Sequence, residues 1–166
     1  MRDAYISNYF LRGVIFVIAL ACDHGGYELM REIKDFLDAG GFSYKDFGTS
    51  STQSCDYPDY ALLASNAILS GECDRGILIC GTGIGMSMAA NKIPGIRAAL
   101  CTDCYMAEMT RRHNNANILV LGGRVTGAGH ACKIVEVFLG TGFEGDGRHG
   151  HRVGMLAELD GKRCCS

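Results

Sequence analysis

The sequence predicts a single-domain α/β protein in three layers, with helices on both faces of a five-stranded parallel sheet. Three observations lead there. Short apolar runs alternate along the chain with stretches whose apolar residues recur at helical spacing, the rhythm of βα units. The runs are continuous, as in Ile77-Leu78-Ile79, which suits strands covered on both sides. Polar and glycine-rich turns follow the strand ends, at Asp23-His24-Gly25-Gly26, Gly81-Thr82-Gly83-Ile84-Gly85 and Gly122-Gly123-Arg124. In a parallel sheet with right-handed crossovers, ligands bind beyond those C-terminal strand ends.

The first strand is read over Val14–Ala21. The helix after it carries Leu29, Ile33, Phe36 and Leu37 on one face and stops at Gly40-Gly41. Phe42–Phe47 is a second, short strand. Asp56-Tyr57-Pro58 opens a helix that runs toward Ser70-Gly71. The central strand follows and ends at Cys80, and a small-residue helix extends from its glycine turn through Asn91. Arg97–Cys101 is the fourth strand, and a helix from about Asp103 ends near Asn115. Ile118–Leu121 is the fifth strand. Ala131, Ile134, Val135 and Phe138 mark another helix. Gly140–Gly150 reads as a glycine-rich loop, and an amphipathic segment of about Arg152–Leu159 closes the chain.

With 166 residues and 48% hydrophobic content, the chain is large enough for one core. A net charge of −2 gives no support for bulk attraction to nucleic acid or membranes. Nine cysteines, an odd number at irregular spacing, fit a reduced cytoplasmic protein better than a disulfide framework. Cys101-Thr102-Asp103-Cys104 has C-x-x-C spacing but lacks the second ligand pair of a zinc site. Cys164-Cys165 reads as an exposed, oxidisable tail. Arg2 and Arg12 precede an apolar run, and Ala19-Leu20-Ala21 resembles a signal-peptidase site. Cleavage there would remove a strand the fold needs. Residues 1–12 are therefore read as an extension, 13–150 as the α/β domain, and 151–166 as a helix and tail at a subunit interface.

Chemistry concentrates on Cys80. Gly81, Gly83 and Gly85 leave little side chain between the backbone N–H groups and a ligand. Those N–H groups and a helix start favour negative charge, which can raise the thiolate fraction of Cys80. A thiolate beside an anion pocket suits proton abstraction that produces an oxyanion. Cysteine is also among the most buried residue types, so a packing role stands beside this one.

The set Cys22-Asp23-His24-Gly25-Gly26, Asp56-Tyr57-Pro58, Cys80 to Gly85, Arg111-Arg112-His113-Asn114 with Asn117, Gly123-Arg124-Val125, and Gly147-Arg148-His149 with Arg152 resembles the ribose-5-phosphate isomerase B family. That family also contains galactose-6-phosphate and allose-6-phosphate isomerases. The resemblance spans about residues 14–155 and implies a flavodoxin-like, Rossmann-like sheet. It also implies a homodimer, or a tetramer built from it, whose sites draw residues from both subunits. One branch of the family replaces the cysteine base with a carboxylate; Cys80 places this chain in the cysteine branch.

By resemblance Cys80 is the base of an aldose–ketose isomerisation through an enediolate, with ribose 5-phosphate and ribulose 5-phosphate as the expected pair. Thr82 passes a proton between substrate oxygens or caps the helix. His113 protonates the ring oxygen to open the sugar, or is simply a histidine favoured at a helix end. Asp23 binds sugar hydroxyls or caps the first helix, while Asp56 and Tyr57 line the sugar and Asn114 reaches it from a partner subunit. Arg124, Arg148 and Arg152, with His24, are the phosphate ligands, since guanidinium forks match phosphate. Arg111 and Arg112 are left between that role and plain solvation. No metal or cofactor is expected. The rival readings are an isomerase of a six-carbon sugar phosphate, a nucleotide- or flavin-binding module, and a non-catalytic phosphosugar binder.

Overall fold

The computed structural model describes residues 16–163, so the extension, Val14, Ile15 and Cys164-Cys165 lie outside the described residues. Five parallel strands, β1 (Val17–Cys22), β2 (Ser43–Asp46), β3 (Arg75–Cys80), β4 (Ala98–Leu100) and β5 (Ile118–Gly122), form one sheet. Six helices are interleaved with them or follow them: α1 (Tyr27–Ala39), α2 (Tyr57–Leu69), α3 (Ile84–Ala90), α4 (Cys104–Asn114), α5 (Ala128–Gly140) and α6 (Arg148–Arg163).

The α/β class and strand count agree with the sequence reading. The strand order is β2-β1-β3-β5-β4. It departs from the flavodoxin order 2-1-3-4-5 in its last two strands. The last strand in sequence slots between β3 and β4, and β4, only three residues long, becomes an edge. Apolar runs give strand identity but not neighbours.

Alternation along β3 divides the core. Ile77 and Ile79 join Ile18, Leu20, Leu119 and Leu121 beneath α1 and α5, where Ile33, Leu37, Ile134 and Phe138 are fully buried. Leu78 and Cys80 face the opposite way, against Ala61 and Ala64 of α2 and Met86 and Ala90 of α3. Ala19 and Ala21, within the stretch that resembles a cleavage site, are fully buried in β1. Small residues on α2 let it lie close to the sheet.

Two boundaries differ from expectation. Residues 148–150, read as loop, are the first turn of α6, whose 16 residues begin four positions before the expected segment. The glycines at 147, 150 and 154 conceal the helical pattern. The helix after Cys80 has only seven residues, with Asn91 as its C-cap.

Glycines let the turns at the C-terminal strand ends touch. A Cβ on Gly25 would lie 2.8 Å from the Gly81 nitrogen, and one on Gly123 would lie 2.6 Å from the Gly25 carbonyl oxygen. The turns after β1, β3 and β5 are thus packed backbone to backbone. Gly25→Ala must push these turns apart and should cost about 1–3 kcal/mol of stability in urea unfolding. Gly129→Ala, where α5 offers open space, should instead stabilise by about 0.5–1 kcal/mol. Equal effects at both positions would contradict the packing described.

Candidate active site

At the C-terminal edge of the sheet, Cys80 ends β3 and is 5% exposed. Its Sγ accepts the Gly83 N–H at 3.2 Å. Gly83 has φ 80°, and a Cβ there would lie 3.0 Å from the Leu121 backbone, so the turn that aims its N–H at the sulfur requires glycine. The thiol is therefore one face of the core and one wall of the turn together. The helix start expected here belongs to α3, only seven residues long, and the N–H that meets the sulfur is that of Gly83 in the turn before it. Thr82 is exposed, and its Oγ1 accepts from the Ile84 N–H at 3.3 Å. This capping bond leaves the hydroxyl hydrogen able to donate elsewhere. Two N–H groups of the turn, those of Gly83 and Ile84, are accordingly already engaged.

Asp23 is 5% exposed, and its Oδ1 accepts from the N–H groups of Gly25 at 2.8 Å and Gly26 at 3.1 Å. These bonds fix the turn that precedes α1, whose N-cap is Gly26 and has no side-chain cap bond. His24 Nδ1 accepts the Cys55 N–H at 3.2 Å, with Cys55 Sγ at 3.9 Å. That bond assigns Nδ1 as the acceptor and leaves Nε2 to donate. Cys55 was not anticipated as a neighbour of the site. Asp56 occupies the N-cap position of α2 without a side-chain cap bond, and its side chain is exposed. Tyr57, 37% exposed, lays its ring over Gly85, where a Cβ would meet Cζ at 2.7 Å. Arg124 donates its N–H to the Gly81 carbonyl at 2.9 Å, and its side chain crosses Gly81, with Cδ 3.6 Å from where a Cβ would sit. Asp23, His24, Tyr57, the Cys80–Gly85 turn and Arg124 therefore form one cluster.

A second cluster lies at the other edge. Cys80 pairs with Gly122 at the end of β5, whereas α4 ends at Asn114, just before β5 begins at Ile118. The five residues of β5 span about 13 Å at the usual rise of a strand. His113 and Cys80 of one chain thus stand at opposite ends of the sheet. At the His113 end, the His113 and His149 rings stack with centroids 4.1 Å apart and planes 4° from parallel. Glu144 is paired with Arg112 at 2.7 Å, and Arg112 also holds Glu108 at 2.8 Å. Arg148 and Arg152 share the first turns of α6 with His149. Desolvation, His113 and the guanidiniums of Arg148 and Arg152 hold the His149 imidazole below the ordinary histidine range, against the pull of Glu144. Asn114 is exposed, beside a groove lined by Leu156 and Leu159.

His113, Glu144 and His149 bring ligand atoms within 4.8 Å of one another. The parallel rings, however, aim their lone pairs into separate planes, and three arginines surround them. The arrangement suits an anion better than a cation. Arg111, adjacent to Arg112, has a different role. It is 5% exposed, donates to the carbonyls of Thr141 and Ala116 and to Asn115 Oδ1, and lies 5.7 Å from the Phe138 ring centroid. It is a structural clamp rather than a phosphate ligand. Among the other thiols, burial with Asp46 pushes Cys22 up to about 12, and burial with Asp103 pushes Cys101 up to about 12. The C-x-x-C pair is not presented as a site, since Cys101 is 1% exposed within the core.

A parallel α/β sheet with a cysteine and glycine turn at one edge and a histidine–arginine cluster at the other defines a three-layer α/β protein with a candidate site for an anionic ligand. It belongs to the ribose/galactose isomerase family, whose model matches residues 18–156. The chain is 46% identical over 146 residues to ribose-5-phosphate isomerase B of Escherichia coli, covering 88% of this chain and 97% of that one. A putative sugar phosphate isomerase of Bacillus subtilis is 49% identical over 146 residues, covering 87% and 97%. The structure of Clostridium thermocellum ribose-5-phosphate isomerase B superposes with a TM-score of 0.87 at 55% identity, covering 89% and 99%.

The two neighbouring arginines give a direct check. Arg111→Ala strips a buried charged donor from the buried Ala116 carbonyl and from the half-buried Thr141 carbonyl and Asn115 Oδ1, and should cost about 2–4 kcal/mol in urea unfolding. Arg112→Ala removes a surface pair and should cost less than about 1 kcal/mol. Reversed magnitudes would return Arg111 to the surface role.

Proposed function

We propose that the protein interconverts D-ribose 5-phosphate and D-ribulose 5-phosphate, as a dimer whose active sites each combine the Cys80 edge of one chain with the His113 edge of the other. The observation that carries this is the division of one chemistry between two ends of the sheet. The Cys80 cluster has a base, an anion-accepting turn and sugar-facing polar groups. The His113 cluster has an acid and a phosphate fork. Neither suffices alone, and each is complete with the other. The names of the Escherichia coli and Clostridium thermocellum relatives support the substrate.

In this reading Arg148 and Arg152 from one subunit, with Arg124 and His24 from the other, hold the phosphate. His113 gives a proton to the ring oxygen as the bond from that oxygen to C1 breaks. The proton of the anomeric hydroxyl leaves to water, and the C1 aldehyde forms. Asp56 and Tyr57 position the sugar, with Asn114 and Asp23 directed at its hydroxyls. The Cys80 thiolate then takes the proton from C2, and the electron pair of that bond moves onto the C1 oxygen. Backbone N–H groups of the Gly81–Gly85 turn stabilise the enediolate oxygen. Thr82 shuttles a proton between O1 and O2, and Cys80 returns its proton to C1, giving the ketose.

Chain length is the point on which relatives differ. A D-erythrulose-4-phosphate isomerase of Pectobacterium atrosepticum is 43% identical over 131 residues. The phosphate-to-thiol span, which a dimer would set, decides between tetrose, pentose and hexose phosphates.

Turnover of ribose 5-phosphate, with a hexose 6-phosphate in parallel, tests the proposal. Cys80→Ala should lower kcat by ~10²-fold or more, the scale of losing a general base, while the protein stays folded. An aldotetrose 4-phosphate cannot close a five-membered ring, so His113→Ala should impair it less than ribose 5-phosphate. Full activity in Cys80→Ala, or equal losses on both sugars in His113→Ala, would refute the corresponding role.

A further inference from the structure

Among the described residues, the ring contact of His113 is its stack on His149, at the last turn of α4, where Asn115 caps the helix with φ 48° and donates its N–H to the Thr110 carbonyl. His149 in turn stands on the first turn of α6, between Arg148 and Arg152 in sequence, and its Nε2 faces Arg148 Nε at 3.4 Å. One helix turn therefore carries two arginines and the seat of the histidine.

We propose that His149 is the positioning residue of the ring-opening step: it seats His113 and ties it to the phosphate-binding turn of α6. The inference rests on the reading of His113 as the ring-opening acid. The charged groups that face His149 act mostly against a proton on it. Arg148 and Arg152 from α6 act against charge on His149. Glu144, the one acidic group acting on it, is already shared with Arg112, which also binds Glu108 of α4. Two imidazoliums 4.1 Å apart repel, whereas a neutral ring beneath a protonated one is favourable. The stack thus favours a neutral His149 beneath His113. When a phosphate dianion settles on Arg148 and Arg152, it fixes the turn of α6 that carries that ring. Phosphate recognition then prepares the acid for the ring oxygen, an example of remote binding energy spent on orientation.

The test uses the full-length enzyme, His149→Ala and His149→Phe, with inorganic phosphate as the probe. Steady-state turnover of ribose 5-phosphate is measured alongside the NMR chemical shift of the His113 Cε1 proton, which needs no turnover. His149→Ala should lower kcat about tenfold, the scale of a misoriented acid, with the inhibition constant of phosphate unchanged within about twofold. His149→Phe keeps a flat ring and should recover most of kcat. The wild-type His113 Cε1 proton, lying against a stacked ring, should resonate upfield of its position in His149→Ala, and His149→Phe should restore the upfield position. An unchanged kcat in His149→Ala would overturn the proposal. So would a loss confined to phosphate affinity, or a His113 signal that does not move when His149 becomes alanine. A fully active His113→Ala would instead refute the parent reading, and the chemical shift separates the two failures.

Discussion

Every strand of the sheet runs in the same direction, so each helix that leaves the C-terminal edge must return the chain to the N-terminal edge before the next strand begins. This constraint sorts the functional residues into two groups. Residues directly after a strand, such as Asp23, Cys80 and Arg124, collect at one edge. Residues at the end of a returning helix, such as His113, collect at the other, and the loop after α5 brings Glu144 and the start of α6 to the same place. Since no loop among the described residues carries His113 back across the sheet, the proposed site needs a second chain to join its halves.

Each edge is stiffened by a different device. At the Cys80 edge, backbone packs on backbone through Gly25, Gly81 and Gly123, which leaves no room for drift between the turns. At the His113 edge, two arginines do the equivalent. Arg75 donates to the carbonyls of Phe138 and Leu139 at 3.0 and 2.8 Å, and Arg111 reaches Thr141 at 3.3 Å. Both guanidiniums also face the Phe138 ring. Together they satisfy the carbonyls of Phe138, Leu139 and Thr141 at the end of α5 and complement its negative pole. The segment that delivers Glu144 and α6 thus starts from a fixed point.

Much of this was legible in the sequence, for identifiable reasons. Continuous apolar strands and glycine turns announce a parallel sheet and its ligand edge, and the Cys80–Gly85 turn is recognisable because so few residue types fit it. Strand order was not legible, because a crossover of given length can reach more than one neighbour. The start of α6 at Arg148 was obscured by glycines that mimic a loop. His149 lay inside the recognised Gly147-Arg148-His149 motif, but nothing in a sequence distinguishes a histidine that stacks from one that faces water. Arg111 and Arg112 look alike on paper. The helix phase that buries Ala107 also buries Arg111 four residues later, a signal that was available.

The central claim, that one site is built from two chains, is tested most directly by subunit complementation. Cys80→Ala and His113→Ala proteins, each nearly inactive alone, are unfolded together and refolded as a mixture. Random pairing makes half of the dimers mixed, and each mixed dimer has one site with both residues intact. About a quarter of wild-type turnover of ribose 5-phosphate should return. A mixture no more active than its components, with mixed dimers demonstrated by mass, would contradict the account.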